Sequence, residues 1–285
     1  MKSAFFHFLM PLSFLWCMPF LLSGQIKLPY EVVYEDGIYF EKFDSTNTDE
    51  NRYTANNVTY LEGNVLTYSY YYEDTNGRRF KFKEFKRADG KLDWDWVPAD
   101  SSDANTVASV VLTVCPGLKP MVYSVPDYNQ TVILFEYPRV NGEKEGTSYT
   151  GAVDNEKNVW IHPPRDKFFR ILEINPFPYI QAPYKVGTRW EWWLDIGSYW
   201  GDVRWKTWEG VIRNNYRYEI TGETVINTAL GPLDCFVVES TAESTIGKTY
   251  LKSWFSPVFG FVRMAYINID GSKTVLELVQ FEKKL

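Results

Sequence analysis

The chain has 285 residues, a formal net charge of −6, 18% aromatic residues and two histidines, His7 and His162. The acidic balance argues against a nucleic-acid partner, which needs a basic patch. With so few histidines a His-rich zinc site is excluded, and a Ser-His or Cys-His mechanism would have to run through His162.

Lys2, an apolar run over residues 4–22 and then Ser23-Gly24-Gln25 make up the pattern of a secretory signal peptide. The expected leader is 1–24, with Gln25 as the mature N-terminus. Pro11, Pro19 and His7 interrupt the run and argue against a retained anchor, and Trp16 before Cys17 argues against acylation. No other stretch is apolar enough to span a membrane. Cys115 and Cys235 remain after cleavage. An oxidising compartment could pair them, but each sits in a strand-like run and reads equally well as a small buried hydrophobe.

Residues 25–165 form the expected N-terminal β-rich region. Runs at 64–73 and 78–86 flank Asp74-Thr75-Asn76-Gly77, a strong hairpin signal. Further strands are predicted at 92–97, 107–115, 131–137 and 168–174, with loops at 100–105 and 143–158. Asp93 and Asp95 alternate with Trp94 and Trp96, which reads as a solvated strand face. Asn57 and Asn129 sit in glycosylation acceptor strings that matter only in a eukaryotic host. Trp160-Ile161-His162-Pro163-Pro164-Arg165 is an unusual string in which His162 and Arg165 form a possible anion site. Pro163, Pro164, Pro176, Pro178 and Pro183 then read as a stiff extended connector between two halves.

Residues 166–285 read as an antiparallel meander with strands at 189–196, 203–212, 216–226, 233–240, 249–255, 261–269 and 273–281. The predicted fold is all-β: a curved sheet or a partial or closed barrel, with two packed β halves as a variant. Six tryptophans lie between residues 190 and 208. Strand alternation places Trp190, Trp192 and Trp205 in the core, and Trp193 and Trp208 outside. Pairing 189–196 with 203–212 would set Glu191 and Asp195 near Arg204 and Lys206. Trp193, Trp200 and Trp208, with Glu191, Asp195 and Arg204, are therefore the candidate ligand surface, suited to sugar rings. The competing reading is a salt-bridged outer face with cations stacked on indoles. No phosphate loop, Walker motif or Cys-x-x-Cys is present, so no cofactor or metal is expected.

Gly187-Thr188-Arg189-Trp190-Glu191-Trp192, Gly231-Pro232-Leu233-Asp234-Cys235-Phe236-Val237-Val238 and Trp254-Phe255-Ser256-Pro257 with Gly260-Phe261-Val262-Arg263 resemble the exported TapB-like and DUF3108-like proteins of Gram-negative bacteria, especially Bacteroidetes. The resemblance covers residues 170–285. It implies a periplasmic or extracellular β protein with no catalytic residues to carry over. The expected function is a non-enzymatic envelope protein that binds a partner or ligand. The alternative is a carbohydrate-binding or carbohydrate-active protein using the Trp-rich hairpin 190–208.

Overall fold

Period-two alternation runs through most of the chain, and the backbone follows it. The computed structural model describes residues 30–101 and 103–283. The expected leader, with His7 and Cys17, lies outside the described residues. β1 (Val32–Glu35) and β2 (Ile38–Glu41) form a separate hairpin. One large antiparallel sheet takes β3 (Val65–Glu73), β4 (Arg79–Lys86), β5 (Leu92–Pro98), β6 (Val110–Val114), β7 (Thr131–Pro138), β8 (Lys144–Asp154) and β9 (Asn158–Ile161). The same sheet takes β10 (Tyr179–Gln181), β11 (Arg189–Gly197), β12 (Val211–Thr228), β13 (Gly231–Ser244), β14 (Gly247–Ser256), β15 (Gly260–Ile267) and β16 (Lys273–Glu282).

The strand order is β10-β9-β8-β7-β6-β3-β16-β15-β14-β13-β12-β11, a nearly closed barrel. β3 pairs with β16 from Glu73↔Lys273 to Val65↔Glu282, so residues on both sides of position 165 share one sheet. The predicted hairpin at residues 74–77 is present. Its second strand leaves β3 after Tyr72↔Phe80 and pairs along its length with β5 instead.

The interior is filled by the chain itself. Residues 168–174 were predicted as a strand, but they form part of a 3-10 helix over Lys167–Ile174 with Phe168, Phe169, Ile171, Leu172 and Ile174 buried. A continuous apolar run does not discriminate strand from helix by period alone. Residues 171–180 are all buried, including Pro176 and Pro178. Pro176 and Pro178 therefore belong to a central plug and not to a connector between two halves, whereas Pro183, beyond it, is exposed.

Proline lacks an N–H and the plug lies in no ladder until β10, so its carbonyls need other donors. Side chains on the barrel wall supply them. Asn214 Nδ2 (3.0 Å) and Thr249 Oγ1 (2.9 Å) both donate to the Ile174 carbonyl. Tyr218 Oη donates to the Phe177 carbonyl at 3.1 Å. Asn175 Nδ2 donates to the Ile171 carbonyl and to Asn268 Oδ1, each at 3.1 Å. This accounts for another departure. The expected strands at 203–212 and 216–226 leave Asn214-Asn215 between them, yet both residues lie inside the 18-residue strand β12, with Asn214 facing the plug.

The strand path ends at β10 and β11, each of which keeps an unpaired edge, and β5 keeps another on its branch beside β4. β10 meets β11 across a seam through Tyr179 against Trp190 (5.4 Å between centroids), and β9 adds Trp160 against Trp192 (5.9 Å). The β1–β2 hairpin covers the seam. Tyr179 Oη donates to the Gly37 carbonyl (2.8 Å), Asn158 Oδ1 accepts from Tyr39 N (2.8 Å), and Asn158 Nδ2 donates to the Tyr39 carbonyl (2.9 Å). Gly37 has φ +93°, and a Cβ there would lie 2.3 Å from the Trp192 Cβ, so the hairpin needs glycine at this approach.

Cys115 and Cys235 are both free and buried, in different hydrophobic clusters, so the possible disulfide is not formed. The predicted loop at 143–158 is largely strand β8. Asn57 is 4% exposed and its Nδ2 donates to the Tyr60 carbonyl and to Thr131, which leaves no room for a glycan.

Candidate functional site

The charged outer face of β11–β15 carries the candidate site. Alternation turns Trp190 and Trp192 inward, 5% and 6% exposed, and leaves Glu191, Trp193 and Asp195 outside. Their partners differ from those predicted. β11 pairs with β12, so Glu191 faces Arg217 and Asp195 faces Arg213. The ion pairs follow: Arg217 Nε to Glu191 Oε1 at 3.1 Å, Arg213 Nη2 to Asp195 Oδ2 at 2.8 Å and Arg189 Nη2 to Glu219 Oε1 at 3.0 Å. Arg213 holds the Asp195 carboxyl below its usual range. One strand farther on, Lys252 Nζ meets Glu239 Oε1 at 2.8 Å.

All of these pairs except Arg213–Asp195 border an open groove of about 540 Å³ across β11–β15, lined also by Thr221, Thr241 and Tyr250. Glu191 and Arg217 also line a second cleft of about 270 Å³, between β11 and the β1–β2 hairpin, with Tyr34 and Trp193 in its wall. The hairpin lies before any strand predicted from the sequence, so Tyr34 was missed. Its four-residue strands alternate too briefly to stand out.

The remaining predicted site residues are dispersed. Residues 201–208 are a turn and not a strand, with an isolated bridge between Asp202 and Lys206. Arg204 binds Asp202 (2.8 Å) and Asp93 (3.2 Å) and lies over the Trp94 ring, away from Glu191 and Asp195. Trp205 is nonetheless core, stacked on Trp94 at 6.3 Å. Trp200 lies under the Arg165 guanidinium (4.5 Å), and Trp208 packs partly buried against the core. Trp193 carries the Arg213 guanidinium on its ring at 3.7 Å. Cations already occupy a face of two of the three proposed platform rings.

Arg165 is likewise committed internally. Arg165 bridges to the buried Glu173 (3.3 Å) and donates to Thr150 Oγ1 (3.2 Å). His162 packs against Trp160 and Phe177, and burial first, then Arg165, pushes its pKa well below the ordinary value. A neutral imidazole beside an ion-paired guanidinium is a poor anion receptor.

Burial pushes the carboxyls of Glu41 and Glu173 up to about 7 and that of Asp154 to about 6, and it also raises Asp166. None of the four lines the groove. Among the described residues no group of three or more His, Cys, Asp or Glu side chains gathers to hold a metal ion. No helix among them is long and apolar enough to cross a membrane.

No family model matches the chain, and no curated protein matches it. Solved structures do. A protein of Bacteroides fragilis described as exported, with a YmcC-like fold, is 15% identical, with 80% of this chain and 99% of that chain covered and a TM-score of 0.43. A protein of Parabacteroides distasonis described as a lipoprotein is 14% identical over 79% and 97%, with a TM-score of 0.41. The hypothetical lipoprotein YmcC of Escherichia coli is 12% identical over 83% and 95%, with a TM-score of 0.29.

Proposed function

We propose that the protein is an exported, non-enzymatic module of the Gram-negative cell envelope, periplasmic or extracellular, which binds a partner or ligand along the outer groove of β11–β15. One observation carries the reading. The groove's carboxylates are tied to cations across the strands, while the carboxyls with raised proton affinity lie elsewhere. A general acid needs both access and a raised pKa, and the carboxyls that burial raises, Glu41, Asp154, Asp166 and Glu173, do not line the groove.

The test has two arms. Purified protein is assayed against glycoside, ester, peptide and phosphate substrates, and its binding to envelope fractions is compared with that of an Arg217→Glu/Lys252→Glu variant. The expected results are no turnover and weakened binding in the variant. Turnover that disappears in Glu191→Gln overturns the reading.

A carbohydrate ligand is the second reading. It is supported by the cleft in which Tyr34 and Trp193 stand beside Glu191 and Arg217. A soluble glycan that quenches tryptophan fluorescence in the wild type but not in Tyr34→Ala would favour it.

A further inference from the structure

Every attachment of the β1–β2 hairpin to the barrel described above runs through its inner strand and turn, Gly37 to Tyr39. Its last residue, Glu41, is different. The side chain is 3% exposed, and its Oε1 has no hydrogen-bond partner among the described residues. The charge of Asp154, at the end of β8, acts on it. Asp154 is 2% exposed. Its Oδ2 accepts from Thr59 N (2.8 Å) and Tyr60 N (2.6 Å), while its Oδ1 is buried without a partner. Neither acid has an ion pair among the described residues. Two carboxyls are thus enclosed where the hairpin meets the barrel, with amides and backbone N–H groups around them and no cation against them.

We propose that the β1–β2 hairpin is a pH-sensitive clasp on the seam of the barrel, held by the buried Glu41–Asp154 carboxyl pair. The groups around the pair are accounted for. Asn56 and Asn155 donate toward Glu41. Tyr30 and Tyr60 feel the charges of Glu41 and Asp154 respectively, and Tyr184 feels that of Asp154. Burial raises all three phenols, so they stay neutral in this range. Asp49 and Arg52, of opposite sign, act on Tyr30. Between pH 5 and 8 the protons that change are therefore those of the two carboxyls.

Burial pushes Glu41 up to about 7 from an ordinary 4.5. The closed hairpin holds a proton that the opened hairpin releases, so closure is favoured below about pH 4.5 and progressively lost as pH rises through 7. What opens is specific: the free edges of β10 and β11, the kind of backbone to which another extended chain adds. The cleft shared by Tyr34, Glu191 and Arg217 opens with them. The clasp is independent of what fills the outer groove.

Hydrogen exchange of the whole protein from pH 5 to 8.5, corrected for the intrinsic amide rate, tests it. The opening constant of residues 31–41 should rise by about ten-fold per pH unit between pH 5 and 7 and then level off. Amides of β12–β14 should not follow that slope. Glu41→Gln should remove most of the rise, and Asp154→Asn should make the rise level off at a lower pH, because the Asp154 charge helps to hold the Glu41 carboxyl up. An equal slope in the hairpin and in β12–β14 of the wild type would sink the proposal without any variant having to fold. A slope that survives in Glu41→Gln would sink it as well.

Discussion

Trp192 and Trp193 are adjacent in sequence and opposite in environment. Trp192 stacks on Tyr216 at 4.6 Å and donates its Nε1 proton to Tyr218 Oη at 2.9 Å, whereas Trp193 lies outside under Arg213. Trp192→Ala should cost about 3–5 kcal/mol in urea unfolding, and Trp193→Ala about 1 kcal/mol or less. Equal costs would contradict the facing of β11. His162 gives a pH signature. Its imidazole is held neutral in the fold and takes up a proton when unfolded, so its contribution is present above pH 6.5 and is lost as pH falls. His162→Gln should remove about 1.4 kcal/mol of acid destabilisation per pH unit below 6.5, read from denaturation midpoints between pH 7 and 5. The raised carboxyls act in the opposite sense over the same range, so the difference between variant and wild type is the quantity to measure.

At the scale of elements, the sheet answers to the plug. Thr249→Val and Asn214→Ala each remove one of two donors to the Ile174 carbonyl. Either alone should cost about 1–2 kcal/mol, and the pair more than the sum, because the second loss strands a buried acceptor. A double-mutant cycle by chemical denaturation reads the coupling. The same element explains what could and could not be read in advance. Most strands from β3 onward, the 74–77 hairpin and the inward tryptophans followed from alternation and turn residues. Asn214 and Asn268 carry no such signal, since the plug groups they face, the Ile174 carbonyl and the Asn175 side chain, are distant in sequence. The pairing of Glu191 and Asp195 failed for a related cause. The excursion at 198–210 replaces the short loop expected between 189–196 and 203–212, and it delivers Arg213 and Arg217 where Arg204 and Lys206 were anticipated.

At the scale of the whole molecule, the plug and the wall depend on each other. Residues 166–285 alone would leave β16 without β3, and the 3-10 helix would lose Tyr70, Phe82 and Tyr137, which its phenylalanines touch. That fragment should show no cooperative melting transition by circular dichroism, whereas residues 25–285 should show a single one. A fragment that melts cooperatively would establish an autonomous C-terminal domain.

The pairing of Glu73 with Lys273 also imposes a timetable. The two residues stand 200 positions apart, and such distant pairings are slow to form because the intervening chain must first be ordered. β3 is therefore made well before its partner on that side. While the intervening residues are synthesised, the molecule carries a nine-residue, tyrosine-rich strand with an open edge, and open edges recruit other chains. A chain stopped before Lys273 would keep that edge permanently, and aggregation rather than simple loss of stability should mark it. Sedimentation of the truncated protein at increasing concentration would reveal this.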